Sequence, residues 1–139
     1  MKQLKGQCLC GATQYEIDEV EPKMAHCHCS MCRKFHGAAF STFAEVKTDS
    51  FRWLKGKELL VKYIASNGTV RQFCRVCGSS MTFKSAHSTG NSIEIALGTL
   101  DSNLDLQPDA HIHVDSKARW VNISDDLPQF AKDRDGKRV

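Results

Sequence analysis

The residues of this chain best suited to chemistry are its seven cysteines, which fall into three tight clusters: Cys8-Leu9-Cys10, Cys27-His28-Cys29-Ser30-Met31-Cys32 and Cys74-Arg75-Val76-Cys77. None stands alone. Two thiolates one or two positions apart can reach the same ion, so this spacing points to metal binding. As whole units the clusters offer two, three and two sulfurs. Either pair added to the triplet gives five sulfurs, which tetrahedral zinc rarely accepts; the two pairs together give four and leave three over. The count predicts one closed site at Cys8, Cys10, Cys74 and Cys77 and a second at Cys27, Cys29 and Cys32 with one coordination position free. Two zinc ions per chain are expected. Closed sites hold folds together, and open ones can do chemistry.

Three thiolates on Zn²⁺ leave a net charge of −1. Such a centre can take an incoming thiol as thiolate, activate water or polarise a carbonyl. Strong sulfur donation makes it a poor Lewis acid, so thiol chemistry is the expected use. The competing reading is a purely structural site closed by a histidine, with His26, His28 and His36 as the local candidates. His28, between two ligands, is expected to point its ring away from the metal. Read as C-x-x-C, Cys29 and Cys32 could also form a redox pair, but no βαβ pattern surrounds them. Arg33, Lys34, Arg71 and Arg75 stand near ligands in sequence and could offset the sulfur charge or bind a carboxylate, arginine bidentately. His111 and His113 alternate with Ile112 and Val114, so one face of a strand there could line the open site. His87 has no companion. Trp53 and Trp120 are expected in the core.

Several segments have the period-two alternation or β-former content of strands: Thr13–Ile17, Ala39–Glu45, Leu59–Ala65, Val70–Phe73, Met81–Phe83 and Ser92–Leu97, where Ile93, Ile95 and Leu97 would share a face. Turn chemistry separates them at Asn67-Gly68, Gly78-Ser79-Ser80 and Thr89-Gly90-Asn91, the first a hairpin signal. Helical signals are short, at Ser30–His36 and Leu127–Lys132. Gly11 and Gly78 follow the two cysteine pairs and would let the backbone turn its amides toward the sulfurs. The expected fold is mostly β, small antiparallel sheets pinned by metal, in a single zinc-binding domain over 1–133 with a frayed tail over 134–139.

Bulk properties narrow the function classes. A length of 139 residues suits one domain. A formal charge of +3, with acids and bases interleaved as in Lys132-Asp133-Arg134-Asp135, does not make a nucleic-acid footprint. No apolar run approaches the roughly 20 residues of a membrane span, and the first residues lack a signal peptide's apolar stretch. A cytoplasmic setting is therefore expected, in which clustered cysteines read as metal ligands and not as disulfides.

The clusters and their neighbours resemble the glutathione-dependent formaldehyde-activating enzyme family, which includes centromere protein V-like proteins. The resemblance rests on Gly6-Gln7-Cys8-Leu9-Cys10-Gly11, on His26-Cys27-His28-Cys29-Ser30-Met31-Cys32-Arg33-Lys34 and on Phe73-Cys74-Arg75-Val76-Cys77-Gly78-Ser79. Gly37-Ala38, Phe40, Asp109, His111-Ile112 and Trp120 also match, so the similarity runs from about Gly6 to Phe130. It implies a β-tent fold, a structural zinc on Cys8, Cys10, Cys74 and Cys77, and a catalytic zinc on Cys27, Cys29 and Cys32. Its open position would meet the sulfur of glutathione or a similar small thiol. The implied activity is that of a carbon–sulfur lyase, whose reverse reaction joins glutathione and formaldehyde. Arg33, Arg75 and His111 are the candidate substrate contacts. Formaldehyde-activating members carry additional sequence ahead of the first motif, so parts of their glutathione pocket are expected to be absent here. The alternative function is a non-catalytic zinc module that binds a protein or a thiol carrier.

Overall fold

The computed structural model describes residues 3–86 and 90–139. His87 and the Thr89 of the expected third turn lie outside the described residues. The chain is mostly β, in small sheets, and divides into two compact units, Met1–Pro22 with Ala44–Asp105 and Lys23–Phe43 with Leu106–Val139.

The first unit holds a three-stranded antiparallel sheet in which β2 (Gln14–Ile17) lies between β1 (Leu4–Gln7) and β5 (Phe51–Lys55). Alternation in β2 sends Tyr15 and Ile17 inward, both fully buried. Tyr15 stacks on Phe51 at 5.4 Å between ring centres, and Trp53 meets both rings edge-on. Trp53 packs on these rings but is only half-buried, short of the core placement expected of it. Burying such side chains contributes about 1.5–3 kcal/mol each. The same unit contains an antiparallel run of β6 (Leu60–Ile64), β7 (Val70–Cys74), β8 (Ser80–Lys84) and β9 (Ser92–Ala96). The Asn67-Gly68 hairpin is present: β6 and β7 pair from Leu60↔Cys74 to Ile64↔Val70, and the Asn67 side chain accepts the Thr69 amide at 3.0 Å. In β9 Ile95 is fully buried and Ile93 half-buried, while Leu97 leaves the strand into a short 3₁₀ turn. Strand β4 (Ser41–Lys47) carries the chain across the boundary between the units.

The second unit is built on β3 (Met24–Cys27), the helix α1 (Ser30–His36) and β10 (Ala110–Ile112). β10 pairs with β3 in parallel, a departure from the all-antiparallel expectation, with His111 opposite His26 and Ile112 opposite Cys27. Helix α1 lies where the sequence places it and ends at Gly37, whose left-handed backbone lets its amide return to the Arg33 carbonyl.

Two expectations fail in this unit. Leu127–Lys132 is not helical: Gln129 bridges to His111, and the His111 and Phe130 amides exchange bonds with Pro128 and His111 carbonyls. Pro128 cannot donate within a helix, and the neighbouring strand edge satisfies the backbone instead. Trp120 is not core but 73% exposed, in a turn after Ala118. In the segment 134–139, Phe130 bridges to Arg138 and the Val139 amide donates to the Gln129 carbonyl. Among the described residues no helix is long and apolar enough to cross a membrane.

Candidate metal centres

The two cysteine pairs that the count assigned to one site converge within the first unit. The sulfurs of Cys8, Cys10, Cys74 and Cys77 all lie within 4.8 Å of one another. Cys8 Sγ is 3.6 Å from Cys10 Sγ, which is 3.9 Å from Cys74 Sγ. A tetrahedron with metal–sulfur bonds of about 2.3 Å has edges of about 3.8 Å, so the four atoms fit one ion. Each pair sits on a tight turn: Gly11 and Gly78 both have φ of 78°, and their amides bond back to the carbonyls of Cys8 and Cys74. Other donors aim at the sulfurs, the Thr13 amide at Cys8 and the Ser79 hydroxyl at Cys77. Ser79 first, against burial, holds the Cys77 thiol down at about 5. At Cys8 burial opposes ionisation but the Thr13 bonds outweigh it, and the pKa is lowered. Cys10 is pushed up to about 11: the Ala12 amide favours its thiolate, but burial and its sulfur neighbours prevail. The turns thus aim donors at the sulfurs of Cys8 and Cys77.

The triplet forms a second group within the second unit, its sulfurs again within 4.8 Å of one another. Cys27 and Cys32 are buried and Cys29 half-buried. Cys27 ends β3, Cys29 caps α1 in extended conformation, and Cys32 lies on the first turn of α1. The Cys29 sulfur accepts the Cys32 amide at 3.3 Å, so the helix cap is itself a candidate ligand. Hydrogen bonds from Cys27 and then Cys32 bring the Cys29 thiol down to about 2, with a smaller contribution from His113. The Cys27 thiol is pushed up, chiefly by its bond to Cys29.

The histidines considered as a fourth ligand are placed differently. Among the described residues no histidine nitrogen joins the three sulfurs as a group. His26 Nδ1 is 2.8 Å from the Thr42 hydroxyl. His28 Nε2 is 2.8 Å from His111 Nδ1, so its ring engages a histidine and does not group with the sulfurs. His111 Nε2 in turn donates to Asp125, at 2.9 and 3.1 Å from the two carboxylate oxygens. His28 is fully buried and His111 nearly so, among the rings of His26 and Phe40. Burial first, then His111, lowers His28 to about 4. The bond from His111 lowers the Asp125 carboxyl.

The candidate substrate contacts do not all gather at the triplet. Arg33 is on α1, one turn beyond Cys29, and close enough to add to the field on His28. His111 has both ring nitrogens taken, by His28 and Asp125. Arg75 belongs to the first unit, exposed on the turn between Cys74 and Cys77. Asp125 escaped the sequence reading altogether; the available signal was the ring of His28, which once turned from the metal needs a partner. The alternation with Ile112 and Val114 places His113 in a strand. It instead takes a left-handed backbone, φ 56°, fixed by its amide on Lys132 and its carbonyl under Ser116.

The chain is similar to known proteins in sequence and in fold. Residues 3–116 match the family described as glutathione-dependent formaldehyde-activating enzyme. A Schizosaccharomyces pombe protein named an uncharacterized lyase is 26% identical over 140 residues, spanning 100% of this chain and 98% of its own length. A crystal structure of a Rhodobacter sphaeroides protein superposes with a TM-score of 0.61 at 25% identity, covering 73% of this chain and 91% of that one.

Proposed function

The chain belongs to the glutathione-dependent formaldehyde-activating enzyme family, and from that premise we propose that it is a zinc-dependent carbon–sulfur lyase. Its substrate class is an adduct of a small glutathione-like thiol with a carbonyl compound, handled at Cys27, Cys29 and Cys32. The observation that carries this reading is the triplet's composition: three sulfurs grouped with no histidine nitrogen or carboxylate among the described residues. A lyase-type function also accords with the name of the fission-yeast relative.

When bound, zinc would hold the substrate's sulfur as thiolate at neutral pH. In the synthetic direction a sulfur–carbon bond forms as the carbonyl π bond opens, and the thiol's proton ends on the new hydroxyl. Lysis reverses each change. The three cysteines fix the centre, with the Cys32 amide on Cys29 Sγ holding the helix start against it. Arg33 is assigned to a substrate carboxylate, which its planar guanidinium can bind at two points. Arg75 is assigned to offsetting the charge of the four-sulfur cluster, whose net charge with Zn²⁺ would be −2.

A second reading has its own support. Leu9 and Val76, at the tips of the two cysteine turns, are 86% and 63% exposed, and apolar side chains so placed suit a protein partner. Zinc-edge X-ray absorption with and without saturating glutathione separates the readings. The lyase reading expects a fourth sulfur to enter the average coordination of the second zinc. Unchanged coordination would sink that mechanism and favour the non-catalytic module.

A further inference from the structure

The chain from Asp125 through His111 to His28 leads from a half-exposed carboxylate to the residue between two candidate ligands. Its proton order follows from donor and acceptor rules. Asp125, with its carboxyl lowered by its partner, is an acceptor, so His111 Nε2 carries a proton. Where His111 Nδ1 accepts, His28 Nε2 carries the other proton. His28 Nδ1 then keeps a lone pair; it is buried and has no partner among the described residues.

The main chain grips the same residue. The His28 amide donates to the Ile112 carbonyl at 3.0 Å, next to the β10–β3 pairing of His111 with His26. In extended backbone alternate side chains leave opposite sides, so a ring clamped on one side aims Cys27 and Cys29 from the other. β10 therefore holds the middle of the Cys27-His28-Cys29 bite by backbone and by ring.

We propose that Asp125 and His111 are positioning residues of the three-sulfur centre: they lock His28 in its Nε2-protonated tautomer and so preset the angle at which Cys27 and Cys29 meet a metal. Carboxylate partners that orient a metal's own histidine ligand have this effect; here the oriented histidine is not the ligand but the joint between two. The inference rests on the three sulfurs holding a metal, although not on the lyase activity.

Asp125 is half-exposed, so Asp125→Ala removes the lock without opening the core, and Asp125→Glu offers a conservative rescue. Imidazole ¹⁵N NMR should show His28 and His111 protonated at Nε2 in the native chain. A mixed His28 tautomer is expected in Asp125→Ala, and its return in Asp125→Glu. Cobalt titration, followed by sulfur-to-cobalt charge-transfer and d–d bands, should show about 10–100-fold weaker binding at the three-sulfur centre of Asp125→Ala. Affinity at the four-sulfur centre should be unchanged, which serves as the internal control for folding. Equal cobalt affinity in Asp125→Ala and native protein, or a native His28 protonated at Nδ1, overturns the positioning role alone. Failure of the native three-sulfur centre to bind cobalt overturns this role together with the metal reading beneath it.

Discussion

The two cysteine centres are made of the same atoms at similar separations, yet they are built in opposite ways. The four-sulfur centre joins residues 64 positions apart, and its turns display Leu9, Cys10 and Val76 on the surface. The three-sulfur centre is drawn from six consecutive residues, largely buried, between a strand end and a helix start. By loop closure alone the longer span is worth only about 2 kcal/mol more. The larger difference is in what each closure carries. A metal at the first would tie the β1 end of the chain to the β7–β8 turn, whereas one at the second would shape a loop that β10 already grips. A global tie and a local bite follow from the same ligand type at different sequence separation.

The strongest way to break this comparison is to remove one sulfur from each centre. Cys8→Ser should abolish the cooperative thermal transition, because a structural zinc supplies roughly 10 kcal/mol or more, as much as most domains' whole stability. Cys29→Ser should stay folded, with one zinc equivalent fewer by metal analysis and no turnover of thiol adducts. A cooperative Cys8→Ser or an unfolded Cys29→Ser would reverse the assignment.

A smaller effect sets the first unit apart by pH. Burial first, then Glu45, raises Glu94 to about 7, and its Oε2 has no hydrogen-bond partner among the described residues. A raised carboxyl pKa means that the folded state binds the proton better than the unfolded one. Its contribution is thus fully present below about 4.5 and is lost as pH rises through about 7. Glu94→Gln should therefore unfold later than the native protein above pH 7, by roughly 1–3 kcal/mol in urea titrations, with the gap closing toward pH 5. A gap that persisted at pH 5 would remove Glu94 as its source.

The smallest effect is a matched pair of glycines. Gly78 and Gly37 both have positive φ, with nothing within 4 Å of where a Cβ would stand. Alanine at either should cost about 1 kcal/mol in backbone strain alone. The comparison predicts that Gly78→Ala weakens cobalt at the four-sulfur centre only. Gly37→Ala, at the far end of α1, should lower stability and leave that centre unchanged.

What could be read in the sequence was what local chemistry determines. Asn67-Gly68 encodes its hairpin, Ser30–His36 its helix, and the cluster spacing the grouping of sulfurs. Strands β1, β3 and β5 went unrecognised because Leu4-Lys5-Gly6-Gln7, Met24-Ala25-His26-Cys27 and Phe51–Lys55 lack clean alternation; pairing partners hold them instead. The false helix at Leu127–Lys132 arose likewise, since the edge that straightens it is His111, far away in sequence. Trp120 is a reminder that apolar character alone does not assign burial. The His28–His111–Asp125 chain spans steps of 83 and 14 positions, which no periodicity reports.

The contrast in sequence separation also has a consequence in time. At roughly 5–20 residues per second, the chain emerging from a ribosome completes Cys27–Cys32 several seconds before Cys77 appears. During that interval Cys8 and Cys10 have no mates, while the local loop already has all its sulfurs. If each cluster takes a metal as proposed, the newborn chain would meet its first ion with the three-sulfur centre complete and the four-sulfur centre still open.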